Sequence, residues 1–304
     1  MTARTRFYRF LIGFGLVFLV AVVGFAIANS LIPTFGSTPE ELTLVLPGDE
    51  LLTHPTVNWK HAITINASPE EVWPWIAQMG DTRGAFYSFM FIERMVDSRP
   101  GLYVNADRIH PEWQDVQVGQ GLIADMVKVA ELEPGKYLLG SVAPDSDFGW
   151  TWMWHIAPAA EGRTRMIVHM SIQMPAGADN PAVTVFMNLG AVIMERNMMT
   201  GLKLRAEGGS EPAWIEPVEI VLWFGTLLSG LAGAWLFITR RRWQIPLAVG
   251  LGAVMALFVL TFLQPAIWLR LVMLVALVGA LVWDQAPRGK KVEVGQVMRK
   301  AEAA

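Results

Sequence analysis

Three stretches of this chain run uncharged for long enough to cross a lipid bilayer and a fourth is interrupted by a single arginine, and together they bound every other reading of it. Residues 10–32 hold 23 uncharged positions, residues 220–239 hold 20, and residues 243–269 hold 27, after which Arg270 intervenes and the apolar run resumes over 271–283. A helix needs about 20 apolar residues to span the hydrocarbon core. The first two runs are therefore one span each. The block 243–283 is about twice that length, and Gln264-Pro265 lies near its middle. The expectation is an N-terminal anchor within 1–33 and three further spans, at 217–239, 243–263 and 266–283, followed by a basic tail over 285–304. The alternative for residues 10–32 is a cleaved signal peptide, whose apolar core is typically only about 7–15 residues.

Lysine and arginine placement orients the spans. Arg4, Arg6 and Arg9 precede the first, Arg240, Arg241 and Arg242 separate the second from the third, and Arg288, Lys290, Lys291, Arg299 and Lys300 follow the fourth. With four spans, all three clusters fall on one side. The bias of basic residues toward the cytoplasm makes that side the inner one. The chain then reads as a multi-pass protein of the cytoplasmic membrane. Both termini are cytoplasmic and residues 34–216 lie outside.

Between the apolar ends lies a soluble domain. Residues 34–216 carry 12 Lys or Arg against 23 Asp or Glu. So acidic a surface disfavours nucleic acid as a partner. Cysteine is absent from the chain, which excludes disulfides and thiol catalysis.

Residues 34–57, punctuated by Pro39, Pro47 and Pro55, read as a connector, and 58–210 as the domain proper. Alternation over 60–66, with Ile63 and Ile65 on one face, predicts a strand. Ser68-Pro69-Glu70-Glu71 is a helix start with the spacing of a capping box, and Val72, Trp73, Ile76 and Met79 follow at helical intervals. Residues 86–96 are expected to form a second helix. Strands are expected at 121–130 and 136–142, joined by a hairpin at Leu132-Glu133-Pro134-Gly135. Trp150, Trp152 and Trp154 alternate with Thr151, Met153 and His155. Met166, Val168, Met170, Ile172 and Met174 then alternate with Ile167, His169, Ser171 and Gln173, the pattern of an antiparallel sheet with one side on a core. A long helical pattern runs over 182–206.

The fold class is therefore α+β: an antiparallel sheet wrapped on a long C-terminal helix, joined to four transmembrane helices. Several segments, taken with this order, carry a resemblance to a known superfamily. They are Ala62-Ile63-Thr64-Ile65-Asn66-Ala67-Ser68-Pro69-Glu70-Glu71-Val72-Trp73-Pro74-Trp75, Gln78-Met79-Gly80, Phe86-Tyr87-Ser88, Ala106-Asp107-Arg108-Ile109, Pro111-Glu112-Trp113-Gln114, Val118-Gly119 and Gly162-Arg163-Thr164-Arg165. The domain resembles the START-like, helix-grip superfamily, also called SRPBCC or polyketide cyclase/dehydrase-like. The resemblance covers roughly 58–206. It implies a cavity between sheet and helix, and a bacterial branch. It leaves activity open, because one fold hosts binders, carriers and cyclases.

The chemistry-bearing residues are sparse. His54, His61, His110, His155 and His169 show no metal-ligand spacing. No Ser-His-Asp order can be extracted, and no Gly-rich phosphate cradle stands out, so no metal and no nucleotide cofactor is expected. His155 and His169 fall on the polar faces of their strands, which predicts the solvent side. His61 is in phase with Ile63 and Ile65 and points inward. Arg196 and Asn197 interrupt the apolar stripe of the long helix. The weak catalytic candidates are thus His61, Arg196 and Asn197. Trp150, Trp152 and Trp154 are either plain core or a cavity wall, which Tyr87, Met90, Trp113, Met170 and Met174 would join, with Arg196 as a polar anchor. The functional expectation is a membrane-anchored binder, sensor or carrier of a hydrophobic small molecule or lipid. The alternatives are a cyclase-type enzyme and a structural subunit that docks a membrane-protein partner through 217–283.

Overall fold

The computed structural model describes residues 2–31, 34–142, 148–175, 177–178 and 180–286. Most of the basic tail, from residue 287 on, lies outside them. Six strands form one antiparallel sheet in the order β1-β6-β5-β4-β3-β2. They are β1 (Val57–Ile65), β2 (Gly121–Ile123), β3 (Val127–Glu133), β4 (Tyr137–Ser141), β5 (Gly149–Ala159) and β6 (Arg163–Gln173). The central hairpin keeps one register throughout, with Trp150 opposite Ile172, Trp152 opposite Met170 and Trp154 opposite Val168. Large apolar side chains therefore face each other across neighbouring strands, the unit of sheet stabilisation.

Two helices cover the inner face. Helix α3 (Pro69–Ala77) begins as its sequence requires, with the Ser68 backbone N–H donating to the Glu71 carboxylate at 2.8 Å. The 26-residue α5 (Pro181–Ala206) places Val192, Met198, Met199 and Leu202 in the core. Gly201 is obligatory on that face: a Cβ there would stand 2.2 Å from the Tyr87 carbonyl oxygen. The segment before α4 (Met90–Val96) is not helical, against the expected start at Phe86. Ala85 and Tyr87 both take left-handed backbone angles (φ 51° and 57°), which no helix accommodates. Likewise the expected strand 121–130 breaks at Ala124 and Asp125 (φ 48° and 56°), where the Ala124 N–H donates to the buried Asp81 carboxylate at 2.7 Å.

The connector does not hang free. Its short helix α2 (Pro39–Leu42) carries Glu41, gripped by the Arg165 guanidinium at 2.7 and 2.8 Å. Ala62 N–H donates to Phe35 O at 3.0 Å. Leu46 packs with Ala62, Leu139, Met153 and Ile167 in a second small core. The outer face of the sheet is thus covered where the segment 34–52 crosses it. His169, expected on the solvent side, is only 6% exposed, and His155 is half-buried.

The described residues divide into two compact units. One takes in Ala21–Val221 with Phe258–Gln264, and the other the described residues of Met1–Val20, Leu222–Leu257 and Pro265–Ala304. Four helices are long and apolar enough to cross a membrane. These are α1 (Ala3–Leu31), α6 (Ile215–Thr239), α7 (Gln244–Phe258) continued by a π-helical turn (Val259–Leu263), and α8 (Ile267–Gln285). Gln264, at φ 42°, reverses the chain between the last two. Gly233 lets α6 and α7 meet backbone to backbone, since a Cβ there would lie 2.9 Å from Gly250 N and Pro246 O. Arg9 on α1 donates to the carbonyls of Phe237, Arg240 and Arg241 at the end of α6.

Candidate ligand site on the inner face of the sheet

Alternation puts Trp150, Trp152 and Trp154 on the inner face of β5. Trp154 is fully buried, and its indole N–H donates to the Met198 sulfur at 3.4 Å. Trp152 stacks on Phe86 at 5.2 Å and lies 4.4 Å from Trp154 between ring centroids. Trp150 continues the row at 6.1 Å and is half-buried, with Phe148 edge-on to it. Met170 lies across the strands between Trp152 and Trp59, and Met174 is half-buried beyond it. The wall therefore grades from a sealed end at Trp154 to a less buried end at Trp150, Phe148 and Met174.

Two polar atoms in this wall stand out. The indole Nε1 of Trp150 and of Trp152 are both buried and have no hydrogen-bond partner among the described residues. A buried N–H without an acceptor is costly, and most such groups in folded proteins are paired.

The remaining expected lining residues separate. Tyr87 is in the same core, but its hydroxyl is engaged, donating to Trp75 O at 2.8 Å and accepting from Gln78 Nε2 at 3.1 Å. Burial pushes the phenol far above its ordinary value. Trp113 packs on the core edge and stacks on His110 at 4.0 Å. Met90 lies apart, its sulfur accepting from Asn105 N–H and Arg94, in a cavity of about 230 Å³ with Ser88 and Glu219. Arg196 does not reach the tryptophan row. Its guanidinium sits 4.1 Å over the Phe35 ring and donates to Leu263 O at 3.0 Å. Asn197 is half-buried, and its carbonyl accepts from the Thr200 hydroxyl at 3.0 Å.

The inward reading of His61 is met, and its partner is a residue that sequence reasoning passed over. Glu195, 1% exposed, points into the core between β1 and α5. One carboxylate oxygen stands 2.5 Å from His61 Nδ1, and the other accepts from Trp59 Nε1 at 3.0 Å. Phe35 packs edge-on to the imidazole at 6.2 Å. A signal was present: position 195 precedes the buried Met198 by three, Met199 by four and Leu202 by seven, so it lies at the centre of the buried stripe, whereas 196 lies at its margin and 197 off it. Such a dyad holds a proton between two bases in a water-poor setting. It also ties β1 to α5, because removing either partner strands the other.

Among the described residues, no three His, Cys, Asp or Glu side chains converge to hold a metal ion. No protein-family model matches the chain and no curated protein matches it in sequence, so the case for a function rests on these side chains themselves.

Proposed function

We propose that this protein is a membrane-tethered binder or carrier of an apolar small molecule or lipid, held on the inner face of the sheet beside the tryptophan row. The observation that carries the reading is the pair of buried, unpartnered indole N–H groups of Trp150 and Trp152. They stand where an apolar wall passes into half-buried Trp150, Phe148 and Met174. A ligand with a greasy body and one acceptor oxygen, such as a carbonyl or ester, matches both features. Methionine walls adapt to varied shapes. The helix-grip reading is supported by the element order, an antiparallel six-stranded sheet followed by one long helix.

Trp152→Phe tests this. It keeps most of the buried aromatic area and removes the donor. Native mass spectrometry of detergent-purified full-length protein is expected to show co-purified lipid or small molecule in the wild type and less in the variant, with little change in thermal stability. Equal ligand content in both, or none in the wild type, overturns the reading.

The cyclase-type alternative is favoured by one feature, the buried His61–Glu195 pair, which is able to move a proton. For topology, we propose four crossings with both termini cytoplasmic and the sheet domain outside. The Arg9 contacts support this, because they bring the first and second arginine clusters to one end of their helices. In this cysteine-free chain, Asp115→Cys should react with an impermeant maleimide in intact cells, and Arg241→Cys only after permeabilisation. The reverse pattern overturns the orientation.

A further inference from the structure

The outer face of the sheet holds a constellation that no spacing in the sequence announces. Ser171 and His169 are two residues apart on β6 and so share a face. Ser171 Oγ lies 3.4 Å from His169 Nε2. The other ring nitrogen, Nδ1, stands 2.8 Å from Asp49 Oδ1, contributed by the connector. Asp49 is itself fixed, because its second oxygen accepts the Leu46 N–H at 3.1 Å. All three side chains line one cavity of about 370 Å³, with Asn58, Trp59 and Lys60 from the edge strand β1 and Leu52 from the connector.

We propose that Ser171, His169 and Asp49 form an acyl-transfer site that hydrolyses carboxylic esters, with Ser171 as nucleophile, His169 as general base and Asp49 as the positioning residue. The order of contacts is the one this chemistry needs: nucleophile to base, base to orienting carboxylate. Asp49 beside Nδ1 favours the tautomer with its proton there, which leaves Nε2 as the acceptor. Asn58 Oδ1 lies 3.0 Å from the same Nε2. A half-turn of that amide presents Nδ2 to the ring instead, compatible with the same tautomer. Asp49 Oδ1 makes no hydrogen bond of good angle despite the 2.8 Å approach. A small ring rotation completes it, and catalytic contacts of this kind tighten when substrate is seated.

Burial holds the imidazole below its ordinary value of 6.5, with Asp49 opposing and Lys60 reinforcing that effect. The ring is therefore neutral at pH 7, as a base must be. Ser171 Oγ adds to the ester carbonyl carbon while its proton passes to Nε2, and the carbonyl oxygen takes up the negative charge. The Lys60 ammonium lines the same cavity, donating to Leu44 O at 2.5 Å and lying 3.7 Å from Asp49 Oδ2, and a remaining N–H of it would be the donor to that oxygen. Collapse breaks the bond to the alcohol oxygen, which leaves with the proton from Nε2. Water then attacks the acylated Ser171 with its proton drawn by Nε2, and the acid departs as that proton returns to Oγ. Leu42 and Leu52 give the cavity apolar walls, so the substrate class is an ester with a short apolar acyl group.

The test uses the full-length protein in detergent with an alkyl fluorophosphonate and peptide mass spectrometry. The expected result is one adduct, on Ser171, with hydrolysis of p-nitrophenyl butyrate lost in step with labelling. His169→Ala is expected to slow labelling about 100-fold or more. Asp49→Asn is expected to slow it too, and to move its rise with pH to lower pH, because the carboxylate that favours the protonated ring is gone. The charged groups that act on His169 are Asp49 from the connector and Lys60 from β1, which share its face, and Glu195 of α5 across the sheet. A merely structural Asp49 leaves the pH profile in place. An unmodified Ser171 in the wild type overturns the proposal and needs no variant to do so. Labelling elsewhere, or labelling of Ser171 that His169→Ala does not slow, overturns it as well. The site lies on the outer face of the sheet and does not rest on the inner-face ligand.

Discussion

The two faces of one sheet in this protein are built on opposite chemistry. The inner face packs Trp59, Trp152, Trp154, Met166 and Met170 against α3 and α5, and the buried acid Glu195 has both oxygens satisfied by side chains of β1. The outer face carries Asn58, Lys60, Thr151, His169 and Ser171, and all of these but the exposed Asn58 are buried where the connector crosses as a strap. That strap is held by the Arg165–Glu41 fork and by Asp49, which contacts Lys60 and His169. The comparison teaches where stability and where chemistry reside. Buried aromatic area is non-directional and insensitive to pH. Polar groups under a strap depend on protonation and on a few contacts, and their protons are available for chemistry.

Four substitutions test whether the two faces differ in this way. The largest effect is expected from Trp154→Ala, the sealed end of the inner row. Truncating a fully buried tryptophan costs about 3–5 kcal/mol, read as a fall in the thermal unfolding midpoint. A loss under about 1 kcal/mol would mean that the inner face is not the stabilising one.

Next is Glu195→Ala, which removes the carboxylate beside His61 Nδ1 and leaves the Trp59 indole without its acceptor. Buried groups left unsatisfied cost about 1–3 kcal/mol each. Combining it with His61→Leu should recover part of the loss, since buried pairs are often replaceable together but not singly. Strict additivity of the two substitutions would show that the pair is not coupled.

Arg165→Ala frees the strap. The Arg165–Glu41 pair is partly exposed, so its contribution is about 1 kcal/mol or less. Proteolysis within 34–52 should nonetheless accelerate well beyond what that small loss implies. Unchanged cleavage would show that Leu46 and its apolar partners hold the strap alone.

The smallest effect is the pH response of the outer face. Burial depresses His169 below 6.5, and burial also lowers His155. A histidine depressed in the folded state contributes stability that is full above 6.5. That contribution is lost as pH falls from there toward the folded value, because the unfolded chain binds the proton first. His169→Asn should flatten the unfolding midpoint between pH 6.5 and 5, with the remaining slope owed to His155. A wild-type midpoint that does not fall over that interval would remove the distinction between the faces.

Much of the architecture was legible because it is written locally. The β5 and β6 strands followed from strict alternation, the start of α3 from Ser68 and Glu71, and the end of the third span from Gln264-Pro265. The departures share one cause, which is contact from elsewhere in the chain. Residues 86–89 have helical composition, but Tyr87 is drawn into a left-handed turn beneath Gly201 of α5, with its hydroxyl bonded to Trp75 O. The expected strand at 121–130 is split by a turn that Asp81 ties down. His169 has the alternation of an exposed residue, and the strap covers it.

By itself the sequence determined what depends on runs and periods. These are the four apolar helices, the alternating strands, the acidic charge of the domain and the inward phase of His61, since each is a property of neighbours along the chain. Only the tertiary structure decided which distant groups meet. Glu195 reaches His61 across 134 positions. Asp49 reaches His169 because the connector folds back over the sheet, and the Trp150 and Trp152 indoles meet no acceptor among the described residues. Such meetings are set by packing and hydrogen-bond satisfaction over the whole domain, which no local pattern encodes.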